Sequence, residues 1–222
     1  MWGVQIDNGN PGTVMVFLGD LGRDIPTGER SHWLAYNIPP TGNMSDTNFR
    51  RSFLAIPAET GNPELLFKQA YRTLNEQWHE QWGWYLYRQP SGLDAQIIKR
   101  LHIPLNDTDA EFEAQLLNMA KLLVDLLNEK DIAKDLDKVP NERGISKLER
   151  FLGKAKYPYV QRDIRLLRKI QELRSHIAAH TLGTGCQALL VQELGDSEKP
   201  QFVERLLIQA TQMLSDFSEL RP

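Results

Sequence analysis

Cysteine is almost missing from this chain. The single Cys186 cannot close an internal disulfide or supply a multi-thiolate metal site, which removes both a disulfide framework and a zinc ribbon from consideration. Long apolar runs are missing too: none approaches the roughly 18 residues of a membrane span. The opening MWGVQIDNGN has neither the basic start nor the apolar middle of a signal peptide. These absences point to a cytoplasmic protein that does not engage a membrane. The stretch GDLGRDIPTGERS carries glycines and arginines but neither G-x-x-x-x-G-K-[ST] nor G-x-G-x-x-G, so it offers no phosphate loop. There is no G-x-S-x-G, and Ser52 and Ser146 have no catalytic partner suggested by their surroundings. A strong positive balance is lacking as well. A formal net charge of −3 argues against a protein that coats nucleic acid non-specifically.

What is present is a chain of 222 residues, 41% of them hydrophobic, enough for one or two domains with a real core. Its charge is uneven. From Glu142 to Arg174, ten basic residues stand against four acidic ones. The ordinary account of such a run is a solvated helix face; the alternative is a surface for an anionic partner.

The first 60 residues differ from the rest. Short β-type runs at 4–6 and 13–18 flank DNGNPG, whose Asn, Gly and Pro predict a turn and hence a hairpin. A loop rich in Gly and Pro follows, and Ser45 caps a short helix. A lone hairpin is marginal without further cover, so residues 1–60 either lean on the helical part or form the tail of a larger domain.

From residue 61 onward the pattern is helical. Asn62 and Pro63 supply an N-cap and a first-turn proline, and Leu66, Phe67, Tyr71, Leu74, Trp78, Trp82 and Tyr85 recur mostly every three or four residues, predicting a helix to about residue 88. The aromatics of WHEQWGWYLYR suggest a base-stacking platform, but most continue the core stripe, which leaves Trp84 and Tyr87 as the candidates for exposure. Residues 110–137 hold the densest apolar face, from Phe112 through Leu127. A shorter helix at 145–155, one from 159 to about 181, and a last one at 199–220 complete a set of about five. Short polar connections between them imply an antiparallel bundle.

One stretch carries candidate chemistry. LRSHIAAH, residues 173–180, places Arg174, Ser175, His176 and His180 near a helix end. Six steps separate Arg174 from His180, so on a straight helix they point about 120° apart and lie about 9 Å apart along the axis. They meet only if the helix breaks before His180, as the following TLGTG allows, or if a second copy packs alongside. An imidazole and a guanidinium together suit phosphodiester cleavage, one moving a proton and the other holding the phosphate. A metal reading uses Glu172, His176 and His180 on one face. It finds no companion ligands at metal spacing on another helix, and His79 and His102 are isolated, so no metal site is expected.

An Arg, a polar residue, then a His with five residues between it and the Arg, inside an all-helical bundle, resembles the signature of the HEPN superfamily (higher eukaryotes and prokaryotes nucleotide-binding). The match is Arg174, Ser175 and His180 within LRKIQELRSHIAAHTLGTG, followed by QALLVQELG and KPQFVERLLIQATQMLSDFSEL. The resemblance spans residues 62–222 as a bundle, and its specific part is 173–185. It implies a mainly α fold, an HEPN-like bundle of about five helices behind the N-terminal β-hairpin and loop segment. It also implies a homodimer in which both copies' Arg and His face one cleft. Many members are metal-independent endoribonucleases of toxin or antiphage systems; others are non-catalytic and dimerise, bind a nucleotide or dock a larger defence or antitoxin partner. On this basis Arg174, His180 and Ser175 are the expected catalytic residues. Arg165, Arg168 and Lys169 are the expected RNA-binding residues, and no cofactor or metal is expected. A binding role and a purely structural role for Arg174 and His180 remain open beside the catalytic one.

Overall fold

A computed structural model describes residues 3–4, 6–7, 14–39, 44–54, 61–178, 193–195 and 197–222. The described chain is mainly helical, with one small two-stranded antiparallel sheet near the N-terminus. It divides into two units, Met1–Gly61 and Asn62–Pro222. No helix among the described residues is long and apolar enough to cross a membrane.

In the first unit, β1 (Ile6–Asp7) and β2 (Met15–Val16) pair with Ile6 opposite Val16 and Asp7 opposite Met15. The stretch read as loop instead forms α1 (Leu18–Asp24) and α2 (Thr27–Ala35). Pro26, with its φ held near −56° and no N–H to give, separates the two. The glycines at 19, 22 and 28 masked this helical tendency in the sequence. Ser45 caps α3 (Asp46–Ser52) as expected, its Oγ accepting from the Asn48 N–H at 3.1 Å. Ile25 is the unit's one buried large apolar side chain among the described residues, while Phe17, Phe49 and Phe53 touch ring to ring yet remain exposed.

Among the described residues, the second unit has five helices of eleven residues or more: α4 (Pro63–Trp82), α6 (Asp109–Ala120), α8 (Gly144–Lys154), α9 (Val160–Ala178) and α10 (Lys199–Ser218). Short helices α5 (Ile97–Arg100) and α7 (Glu129–Ile132) lie between them. α4 and α10 form the most extensive helix pair. Their buried faces set Phe67, Tyr71, Leu74 and Trp78 with Phe202, Val203, Leu206, Leu207, Met213 and Phe217 in one core. Fully burying side chains of this kind contributes about 1.5–3 kcal/mol each, which far exceeds intrinsic helix preference. At one end the rings of Trp78, Trp82, Trp84, Phe151 and Phe217 pack at centroid distances of 5.1–6.5 Å.

Two expectations change here. α4 stops at Gly83, whose φ of 77° is the left-handed cap that an L side chain adopts only with strain, and its N–H returns to the His79 carbonyl. Residues 84–88 are therefore not helical. Tyr87 is fully buried, and Tyr85, expected in the core, is 38% exposed and stacks on His79. The helix expected across 110–137 is also interrupted. After α6 the chain makes a π-turn, Lys121–Asp125, in which the Leu126 N–H reaches the Lys121 carbonyl at 3.0 Å.

Residues 86–88 then run antiparallel to 126–128. The Arg88 N–H donates to the Leu126 carbonyl at 2.7 Å, and the Asn128 N–H donates to the Leu86 carbonyl at 2.9 Å. The buried Asn75 clamps the middle of this seam. Its amide donates to the Tyr87 carbonyl at 3.2 Å and accepts from the Tyr87 N–H at 3.1 Å. A second buried tie joins α9 to the segment before it: Asp163, 1% exposed, accepts from the Tyr157 hydroxyl at 2.5 Å and from Arg162 Nε at 2.7 Å.

Asn75→Ala leaves a buried N–H and a buried carbonyl at Tyr87 without partners, and the expected loss is about 2–3 kcal/mol in urea denaturation. Burial holds the Tyr71, Tyr87 and Tyr157 hydroxyls well above the ordinary tyrosine range, with Asp163 adding to the effect at Tyr157 and Tyr87. The folded state therefore keeps protons that the unfolded chain loses above about pH 10, so stability falls as pH rises past that point. Urea midpoints from pH 8 to 11.5 should decline beyond pH 10, and with a shallower slope in Tyr157→Phe.

Candidate functional site

Arg174 sits just before the last turn of α9, where the buried Leu173 and Ile177 hold the helix against the core and leave Arg174 at the edge. Its side chain is 39% exposed, and Nη1 pairs with Oδ1 of Asp125, itself 26% exposed. Asp125 is where it is because of the π-turn. The same turn receives Arg88, whose Nη2 donates to the Asp125 carbonyl oxygen at 2.6 Å. Two guanidiniums thus meet at one acidic residue, which leaves the cluster with an excess positive charge. Arg88 comes from the 86–88 segment that Asn75 clamps, so the whole cluster is tied to buried backbone.

Ser175 is exposed, and its Oγ donates to the Gln171 carbonyl one turn back at 2.9 Å. That bond uses its proton and leaves its oxygen free to accept. His180 lies outside the described residues. His176 stands 4.0 Å from Glu172, and the described residues contain no group of three or more His, Cys, Asp or Glu able to hold a metal.

The three expected RNA-binding residues share α9 with Arg174 but not its face. Arg168 pairs with Glu149 of α8 at 2.5 Å. Lys169 pairs with Glu193 and lies 5.6 Å from the centre of the Phe202 ring. Arg165 is exposed and has no hydrogen bond or ion pair with a described residue. Nine steps along α9 turn Arg165 about 180° from Arg174. The basic segment is therefore three separate surfaces: one toward the π-turn, one toward α8 and one toward α10.

Comparison with known proteins finds nothing that matches: no family model, no curated protein and no solved structure. The likeness to the HEPN superfamily rests on the motif residues themselves.

Arg88, Asp125, Asn75 and Asn128 escaped the sequence reading. Only Asp125 left a trace, as the one carboxylate in the apolar run LLNMAKLLVDLL. Arg88 and Asp125 are 37 positions apart, and nothing in their local patterns joins them. A double-mutant cycle on Arg174→Ala and Asp125→Ala, read by urea denaturation, should give a coupling of roughly 0.5–1 kcal/mol, as for a solvent-screened pair. A coupling above about 2 kcal/mol would instead make the pair a structural strut.

Proposed function

We propose that this chain carries an HEPN-like module that cleaves RNA at a site built on Arg174 and His180 and completed by a second copy of the chain. The observation that supports this is the half-exposed Arg174 guanidinium, oriented by Asp125 and accompanied by Arg88. A guanidinium has five N–H donors, and among the described residues only Nη1 is engaged, so donors remain for an incoming phosphate. In this reading the 2′-hydroxyl oxygen attacks phosphorus as the bond to the 5′-oxygen breaks, leaving a cyclic phosphate on one fragment. His180 takes the proton from the 2′-hydroxyl or delivers one to the departing 5′-oxygen. Arg174 offsets the charge that grows on the phosphoryl oxygens. Ser175 accepts a hydrogen bond from the ribose or orients the pair. Arg165, Arg168 and Lys169 hold flanking RNA, and the reaction calls on no cofactor. The fitting partners are RNA, a second copy and a larger defence or antitoxin protein.

One observation favours a second reading. The ion pair with Asp125 already occupies Arg174 and ties α9 to the π-turn. A non-catalytic HEPN module that dimerises, binds a nucleotide or docks a larger protein needs no more than that.

The two separate in one experiment: a mixed RNA pool is incubated in EDTA with the wild type, His180→Ala and Arg174→Ala, each checked for folding and dimerisation. Catalysis predicts cleavage by the wild type and a loss of about 100- to 1,000-fold in each folded variant. Intact RNA with the folded wild-type dimer supports the module without activity.

A further inference from the structure

On the face of α9 away from Arg174, α9 and α10 line an open groove of about 560 Å³. Its floor is the buried Asp163 and Leu166, and its walls carry Arg165 and Lys169 from α9 with Gln209 and Gln212 from α10. We infer that this groove binds a small phosphate monoester bearing an apolar ring, at a site separate from Arg174 that shares Arg165 and Lys169 with the proposed path of flanking RNA.

The charges in the groove are not equivalent. The Asp163 carboxylate is already committed: it accepts from the Tyr157 hydroxyl and from Arg162, and Arg162 also pairs with Asp216. Those hydrogen bonds to Asp163 and Asp216 hold the Arg162 guanidinium above its ordinary range, so Arg162 stays a fixed cation that offsets the floor's negative charge. Arg165 is different. It has no hydrogen bond or ion pair with any described residue, and across the groove the exposed Gln209 amide has none either. A free planar guanidinium matches two phosphate oxygens at once. Lys169 stands one turn further along α9, about 6 Å in rise, but its charge is already paired with Glu193, so Arg165 is the cation that meets the phosphate. The Gln209 amide supplies a donor and an acceptor for the polar edge of a ligand, while Gln212 Nε2 already donates to Asp216 Oδ1 at 2.8 Å. The remaining surface is apolar, from Leu166 and the methylene stems of Arg165 and Lys169. The volume lies within the range of small-molecule pockets and exceeds what a bare inorganic phosphate needs, which is why the ligand has an organic part.

The probe is phenyl phosphate, followed by ¹H–¹⁵N NMR titration of the full chain, with inorganic phosphate and phenylacetate in parallel. The expected result is saturable binding of phenyl phosphate below about 1 mM, with shifts at backbone amides of residues 162–169 and 209–212. Inorganic phosphate should bind the same amides more weakly, and phenylacetate at least tenfold more weakly. Arg165→Ala should weaken phenyl phosphate at least tenfold, Arg165→Lys should fall between, and Arg174→Ala should have no effect. Arg165 is exposed, so these variants keep the fold. The inference is overturned by shifts that never saturate, by equal affinity in Arg165→Ala, by equal affinity for phenylacetate, or by a loss that follows Arg174→Ala instead.

Discussion

A single backbone hydrogen bond, from the Leu126 N–H to the Lys121 carbonyl five residues back, decides where the polar side chains of the second unit can meet. A continuous α-helix through 121–127 would place each of those residues about 100° from the last. The π-turn takes up one extra residue, ends the helix at Leu126 and frees residues 126–128 to pair with 86–88. Without that pairing Arg88 has no reason to lie beside Asp125, and Arg174 has no carboxylate to orient it. The turn survives because Leu122 and Leu123 inside it are fully buried. Their burial offsets the poorer hydrogen-bond geometry.

The cations of α9 show how little a local charge count says about an electrostatic surface. Arg162, Arg168, Lys169 and Arg174 each have an acidic partner, and those partners come from the same helix, α10, α8, residue 193 and the π-turn. A long basic run is thus broken into paired charges facing different neighbours, with Arg165 the one among these five left without a partner among the described residues. That distribution does not favour a uniform basic track along the helix. It favours discrete phosphate contacts, each framed by its own polar neighbours.

Much of the helical architecture was legible. The apolar spacing on α4 and α10, the cap at Asn62, the helices at 145–155 and 199–220, and the cap at Ser45 all express short-range physics that a linear pattern carries. The errors fall where packing overrides pattern. Tyr85 continues a helical period and Tyr87 breaks it, yet Tyr87 is the buried one, because Gly83 ends the helix and Asn75 fixes the next segment as extended chain. The π-turn lies inside the densest apolar stretch, where every residue looks suited to an ordinary helix. In the first unit α1 and α2 were hidden by glycines and a proline, whose penalties tertiary context can outweigh.

The sequence by itself determined that this is a mainly helical chain, that its helices are amphipathic and where most of them begin. It also set Arg174 and Ser175 side by side near the end of one helix, because helical spacing is a local property. Which face each cation presents, which acid answers it, and that Arg88 and Asp125 join Arg174 were decided by tertiary structure alone. Those contacts join residues tens of positions apart, and only the burial of α4, α6, α9 and α10 against one another brings them within hydrogen-bonding reach.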